Sequence, residues 1–258
     1  MTHYKQGSPA WADLATADVS WMLTFYQALF GWDDLVVPRE DGAPPYHLQQ
    51  LGGVSVAAIY QQPREEARNG VPPYWNTHLA VDDIEATAAR VADLGGTVLT
   101  PPAAVGAAGR MSVVADPGGA VLRLWQAGEH IGAGAVLEPG TLSWSELQTS
   151  APDRAAAFLH ELVGVETRLA DLDGKTPYTW IEVGGVPVAG IRRVPQYVVP
   201  RWVSFFEVAD LEATIAIATA KGGNVRTAPA EGPRGPFATL QDPQGALFGL
   251  LRSEGAAG

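Results

Sequence analysis

WADLATAD at 11–18, followed by FYQALFGW at 25–32, returns as WSELQTSAPD at 144–153 and FLHELVGV at 158–165, 133 residues further on. A repeat on that scale is the duplication of a whole domain, because each copy is long enough to hold a core of its own. A shorter repeat is nested inside it. WNTHLAVDDIEAT, which begins at Trp75, is echoed by WVSFFEVADLEAT from Trp202, and each echo runs on to a Gly-Gly pair and then to DPGG or DPQG. The chain therefore reads as four quarters.

Each quarter has the same order of local signals. In the first, WADLAT alternates as a strand, Val19–Leu29 carries apolar residues at helical spacing, Gly31 stops the helix, and YHLQQL and VSVAAIY flank the turn at Gly52–Gly53. In the second, THLAV is a strand, Asp83 is the helix cap, IEATAARVADL is the helix, and MSVVAD and AVLRLWQ surround the DPGG turn. RAAAFLHELVG, started by Pro152 or Asp153, and LEATIAIATAKGG, capped by Asp210, repeat the pattern. Domains are expected at 1–130 and 142–258. The Gly-, Ala- and Pro-rich stretch 131–141 forms the linker between them.

Composition narrows the function classes. With 258 residues and 47% apolar content the chain is globular. A net charge of −11, with only 17 Lys and Arg and no basic run, argues against nucleic acid. The absence of cysteine removes disulfides, thiolate nucleophiles and Cys-ligated zinc. No apolar stretch reaches membrane-spanning length and the amino terminus lacks a secretory pattern, so a cytoplasmic protein with no membrane partner is expected. Neither a GxSxG nucleophile elbow nor a GxGxxG or GxxxxGK phosphate loop is present.

The ordered combination of strand, aspartate, helix with FY and LG, GGxxVAxI, then HLAVDD, LGG and DPGG resembles the vicinal oxygen chelate superfamily, which includes glyoxalase I, bleomycin-resistance proteins and extradiol dioxygenases. Within it the chain looks most like two-domain actinobacterial proteins described as glyoxalase-like or as hydroxylases. The resemblance implies an α+β fold: tandem glyoxalase-like domains whose four βαβββ modules form two curled mixed sheets. It does not fix the chemistry, since one scaffold carries several.

In metal-dependent members of that superfamily a first-strand His or Gln opens the H-x-x-L-x-V-x-D pattern, with a counterpart in the second module, and a Glu sits in the last strand after DPxG. On this chain those positions fall on Trp11, Asn76 and Arg123 in the first copy and on Trp144, Val203 and Gly249 in the second. None is a suitable ligand for a divalent ion, so neither a metal nor another cofactor is expected. The alternative is a displaced metal site in which His78 joins Asp13 or Glu146. His3 and His130 are placed in surface segments.

Strand alternation nominates the lining of a cavity. His78, Asp13 and Arg123 are the candidate catalytic residues: an imidazole or carboxylate to move a proton and a guanidinium to hold an oxyanion. Trp11, Tyr46, Asn76 and Trp125, with Tyr60, offer aromatic and amide surface to a ligand in the first copy. Trp144, Glu146, Tyr178 and Trp180 do so in the second, with Phe205 where the first copy has His78. The bland alternative is an internal Asp13–Arg123 ion pair beside a satisfied core histidine. Such a lining suits a small aromatic or carbonyl-bearing molecule. The expected protein binds that ligand without a metal, as monomer or homodimer. The alternative is a lyase, isomerase or hydroxylase with its site in the first copy.

Overall fold

The computed structural model describes residues 4–39, 42–170 and 177–253. The first module comprises β1 (Pro9–Thr16), α1 (Val19–Phe30), β2 (Asp33–Val37), β3 (Tyr46–Leu51) and β4 (Val54–Gln61), after which comes a single helical turn, α2 (Arg64–Arg68). The second has β5 (Tyr74–Ala80), α3 (Ile84–Arg90), β6 (Thr97–Val105), β7 (Gly109–Ala115) and β8 (Val121–Ala127). The third has β9 (Leu142–Thr149), α4 (Pro152–Val163), β10 (Glu166–Ala170), β11 (Tyr178–Val183) and β12 (Val186–Arg193). The fourth has β13 (Arg201–Glu207), α5 (Leu211–Ala220), β14 (Asn224–Gly232), β15 (Gly235–Gln241) and β16 (Leu247–Leu251). These are the four βαβββ modules.

Two eight-stranded mixed sheets result, ordered β2-β3-β4-β1-β5-β8-β7-β6 and β10-β11-β12-β9-β13-β16-β15-β14. Each sheet draws its strands from one half of the chain, so modules pair within a copy. β4 runs parallel to β1 and β8 parallel to β5; every other strand pair within a module is antiparallel. The four edge strands are almost wholly exposed. β6 carries Pro101 and Pro102 and β14 carries Pro229, and the register slips beside them. Proline lacks the N–H that a further strand would need, which blunts these edges against unwanted pairing.

The helices begin and end where their local chemistry dictates. Asp18, Asp83 and Asp210 are extended and accept the backbone N–H groups of Trp21, Ala86 and Ala213 at 3.0, 3.0 and 2.9 Å. α4 lacks a side-chain cap and starts with Pro152, whose missing N–H would be unsatisfied there anyway. Gly31 and Gly164 close α1 and α4 in the left-handed conformation, at φ of 72° and 73°. α3 is shorter than the sequence suggests: it ends at Arg90, and residues 91–95 continue as turns.

Packing follows a different partition from hydrogen bonding. One compact unit consists of Ala12–Asn76, Ala133–Trp144 and the chain from Ser204 onward. Its core joins Leu14, Met22, Phe25, Tyr26 and Trp32 to Phe206, Leu240, Phe248 and Leu250, all nearly inaccessible. Within it Trp75 donates its indole N–H to Tyr26 Oη at 2.9 Å, and Tyr26 donates onward to Asp242 at 3.1 Å. The other unit holds the chain up to Trp11, Thr77–Gly132 and Ser145–Val203. Its core joins Leu79, Ile84, Leu122 and Leu124 to Phe158, Leu159, Leu162 and Ile191. At about 1.5–3 kcal/mol for each large apolar side chain buried, both cores depend on residues from both halves of the chain.

The stretch expected to be a linker is tied down. Gly134 N–H bonds to Ser55 O at 2.8 Å, and Gly140 O accepts the Trp32 indole N–H at 2.7 Å. Gly132 lies so close to Ala10 O that a side chain there would strike the backbone. His3 lies outside the described residues.

Candidate functional site

On the first sheet, β1 and β5 present Asp13 and Asn76, and β3 and β4 present Tyr46 and Tyr60. These four form one hydrogen-bonded group. Asp13, 2% exposed, receives the Tyr46 hydroxyl on Oδ2 at 2.8 Å and the Asn76 amide on Oδ1 at 2.8 Å. Asn76 Nδ2 also donates to Tyr60 Oη at 3.2 Å. The two tyrosine rings lie 5.8 Å apart, tilted by 35°. Tyr46 is half-buried, whereas Tyr60, Asn76 and Asp13 are buried.

His78, Arg123, Trp125 and Trp11 gather in a second group, joined by His130. β5 and β8 run parallel with His78 in register with Arg123. Trp125, two residues beyond Arg123, stands edge-on to His78 at 6.3 Å and donates its indole N–H to His130 O at 3.0 Å. The His130 ring meets Trp11 at 4.5 Å, nearly perpendicular. Arg123 directs a guanidinium N–H to Met111 Sδ at 3.8 Å, a weak contact with a soft acceptor. His130 is thus half-buried among tryptophans and not in a surface segment. Its glycine-rich surroundings conceal this in the sequence; the only signal is its position three residues past the end of β8.

The second sheet repeats the positions with other contents. Glu146, at the place of Asp13, is 2% exposed and held by Arg192 Nε at 2.9 Å and Gln148 Nε2 at 3.0 Å. Arg192 also lies 5.7 Å from the centre of the Tyr178 ring. Burial disfavours the Arg192 cation, but the Glu146 charge and hydrogen bond more than offset this and its pKa is raised. Tyr178 packs against Trp180 at 5.5 Å and lies across Gly190, where any Cβ would collide with its hydroxyl. Phe205 covers Gly249 in the same manner and meets Phe237 at 6.1 Å. Arg234, in the β14–β15 turn, stacks on Trp144 at 4.8 Å. Neither Arg192 nor Arg234 is marked as functional by any sequence motif. Their roles depend on strand register and on the turn.

Residues 8–124 match the Glyoxalase/Bleomycin resistance protein/Dioxygenase superfamily, and residues 144–251 match the Glyoxalase-like domain. The chain belongs to this superfamily. Among glyoxalase-superfamily proteins it is 44% identical over 255 residues to "Putative glyoxylase CFP32" of Mycobacterium tuberculosis, covering 97% of each chain. It is 37% identical over 263 residues to "Anthracycline biosynthesis protein DnrV" of Streptomyces peucetius, covering 97% of this chain and 95% of that one. Of solved structures, the 2,3-dioxygenase LapB of Pseudomonas sp. KL28 superposes with a TM-score of 0.65 at 16% identity, over 98% of this chain and 94% of that one. The Mn(II)-bound glyoxalase of Novosphingobium aromaticivorans gives 0.64 at 15%, over 95% and 82%. At such identities the likeness is one of fold.

The glyoxalase superfamily's metal positions do not fit a metal here. Trp11 turns its ring to His130, Asn76 offers amide hydrogens to Asp13 and Tyr60, and Arg123 is a cation. A divalent ion is held by lone pairs from imidazole, carboxylate or an amide oxygen, and an indole and a guanidinium have none to give. The second sheet's Trp144, Val203 and Gly249 supply none either. Among the described residues no three of His, Cys, Asp or Glu come together, so the displaced site around His78 also lacks a ligand set. No helix among the described residues is long and apolar enough to cross a membrane.

Proposed function

We propose that the protein binds a small aromatic or carbonyl-bearing molecule without a metal, on the polar face of its first sheet. One observation carries this reading: the Tyr46–Asp13–Asn76–Tyr60 network takes up Asn76, one of the positions at which a metal-dependent relative would carry a ligand. The network presents flat rings and hydrogen-bonding groups, as a pocket for an oxygenated organic molecule does. The name of one relative fits, since an anthracycline is a planar, oxygenated polycycle. Asp13, Tyr46 and Asn76 are the recognition residues on this reading. Trp144, Glu146, Tyr178 and Trp180 form a second, self-filled face. The protein is cytoplasmic and a monomer suffices, because both sheets are complete in one chain. On this reading the domains are 1–130 and 142–258.

Elemental analysis of protein purified without added metal, together with native mass spectrometry, tests this. The expected result is less than stoichiometric divalent metal, with an organic molecule retained or readily loaded. Stoichiometric, tightly held metal sinks the proposal.

A second reading is supported by His78, buried at 3% exposure and in register with Arg123. In a glyoxalase-type isomerase or lyase, or a hydroxylase-like enzyme, His78 or Asp13 moves a proton while Arg123 holds an oxyanion. Turnover that survives both His78→Gln and Arg123→Met rules this mechanism out.

A further inference from the structure

We infer that the unit containing Thr77–Gly132 and Ser145–Val203 binds one ordered water in its core, between the Trp202 indole and the Asp116 carboxyl. In the other unit the Tyr26 hydroxyl does the work of that water. The inference is independent of what the first sheet binds.

Two buried polar atoms carry the argument. Trp202 is 6% exposed and Asp116 4%, and neither Trp202 Nε1 nor Asp116 Oδ2 has a hydrogen-bond partner among the described residues. A donor and an acceptor buried without partners are costly, and internal waters sit where such groups converge.

The duplication places the two atoms together. Trp202, which opens WVSFFEVADLEAT, corresponds to Trp75 at the head of WNTHLAVDDIEAT; Asp116 of DPGG corresponds to Asp242 of DPQG; and Leu159 of FLHELVGV corresponds to Tyr26 of FYQALFGW. In the unit of Tyr26, Trp75 Nε1 donates to the Tyr26 hydroxyl at 2.9 Å, and that hydroxyl donates to Asp242 Oδ2 at 3.1 Å. Asp242 is oriented by the N–H groups of Gln244 and Ala246, both on Oδ1 at 2.9 Å. Asp116 is oriented by the same turn, since its Oδ1 accepts from Gly118 and Ala120 at 2.8 and 2.9 Å, which gives Oδ2 the bearing it has in Asp242. Leu159, Trp202 and Ala120 share one hydrophobic cluster.

Of the three corresponding positions only the hydroxyl carrier has changed. Leucine has no hydroxyl, and its side chain is smaller than that of tyrosine by roughly the 30 Å³ that a water occupies in the liquid. Water meets both ends of the gap in hydrogen bonding: its oxygen accepts the indole N–H, and it gives a proton to a carboxylate or takes one from a carboxylic acid. Phe158, Leu159 and Leu162 of the same cluster are nearly inaccessible, so the site takes water and no larger ligand.

The test uses the full chain. A crystal structure that shows ordered waters should place one within hydrogen-bonding distance of both Trp202 Nε1 and Asp116 Oδ2, and none between Trp75 and Asp242. Oxygen-17 relaxation dispersion counts long-lived internal waters in solution and does not respond to hydroxyl protons. By that count Leu159→Tyr should lose one water and Leu159→Met, which has no hydroxyl, should lose none. Thermal unfolding establishes that each variant folds; if Leu159→Tyr does not, Tyr26→Leu takes its place and should gain one water. A wild-type structure without that water, or a count unchanged by Leu159→Tyr or by its substitute Tyr26→Leu, overturns the inference. Loss of the water in Leu159→Met as well overturns the part assigned to the tyrosine hydroxyl.

Discussion

At equivalent places on the two sheets, β5 sets His78 beside Arg123, and β13 sets Phe205 beside Gly249. The first pair is polar and rich in donors. In the second, a ring lies flat over a glycine and fills the space its counterpart leaves to an arginine. The carboxylates differ as well: Asp13 accepts from a phenol and an amide, Glu146 from a guanidinium and an amide. The two sheets thus differ in a definite physical way. On the second sheet the carboxylate is paired with a cation and rings cover two of the glycines.

The most drastic way to break the comparison is to separate the halves. Residues 1–141 alone retain a complete sheet but only part of each core, and should give no folded monomer, seen as the loss of a cooperative unfolding transition by circular dichroism. Next in size is Gly249→Ala. A Cβ there runs into the Phe205 ring, which is buried and cannot retreat, so stability should drop by about 3 kcal/mol in urea unfolding. Adding Phe205→Ala should recover part of that loss, and a double-mutant cycle without positive coupling would show that the ring does not fill the site as described. Arg123→Ala at the equivalent position of the first sheet should cost less than about 1 kcal/mol.

Glu146→Gln removes the partner of a partly buried guanidinium, and about 1–2 kcal/mol should be lost, reduced from the buried-pair figure because Arg192 is 26% exposed. The pairing of Glu146 with Arg192 fails as an account if Glu146→Gln/Arg192→Met is no more stable than Glu146→Gln. The smallest effect concerns a likeness between the halves. Asp116 and Asp242, in the DPGG and DPQG turns, have pKa values raised by burial, which outweighs the backbone N–H groups they accept. The native state therefore holds a proton at pH values where the unfolded chain has released it. The resulting stability is fully present below about pH 3.8, the ordinary carboxyl value, and is lost as pH rises through the raised native values. Asp242→Asn keeps an oxygen for Gln244 and Ala246 and should flatten that decline. An unchanged pH profile would remove Asp242 from the account.

The fold was legible because its signals are local. Asp18, Asp83 and Asp210 cap helices within three residues of themselves, and Gly31 and Gly164 end them by the same short-range geometry. The outermost strands were harder to place. β2, β6, β10 and β14 are exposed on both faces and carry no alternation of apolar and polar residues. Strand alternation put Asp13, Asn76, Tyr46 and Tyr60 on one face, but their bonding pattern depends on the register of β1, β3 and β4, which no spacing along the chain encodes. Arg192 was hidden for the same reason: it faces Glu146 only because β12 runs beside β9. His130 was obscured by composition, since a run of Gly and Ala reads as solvent-exposed although backbone and rings hold it.

The division of each core between the halves sets the terms on which the duplicated gene could diverge. Each hydrophobic centre takes residues from both copies, so either copy carries part of the other's core whatever its exposed side chains are. A copy in that position can change its side chains but not its skeleton, and the second half keeps the strand order of the first while rings lie over its glycines and a cation meets its carboxylate.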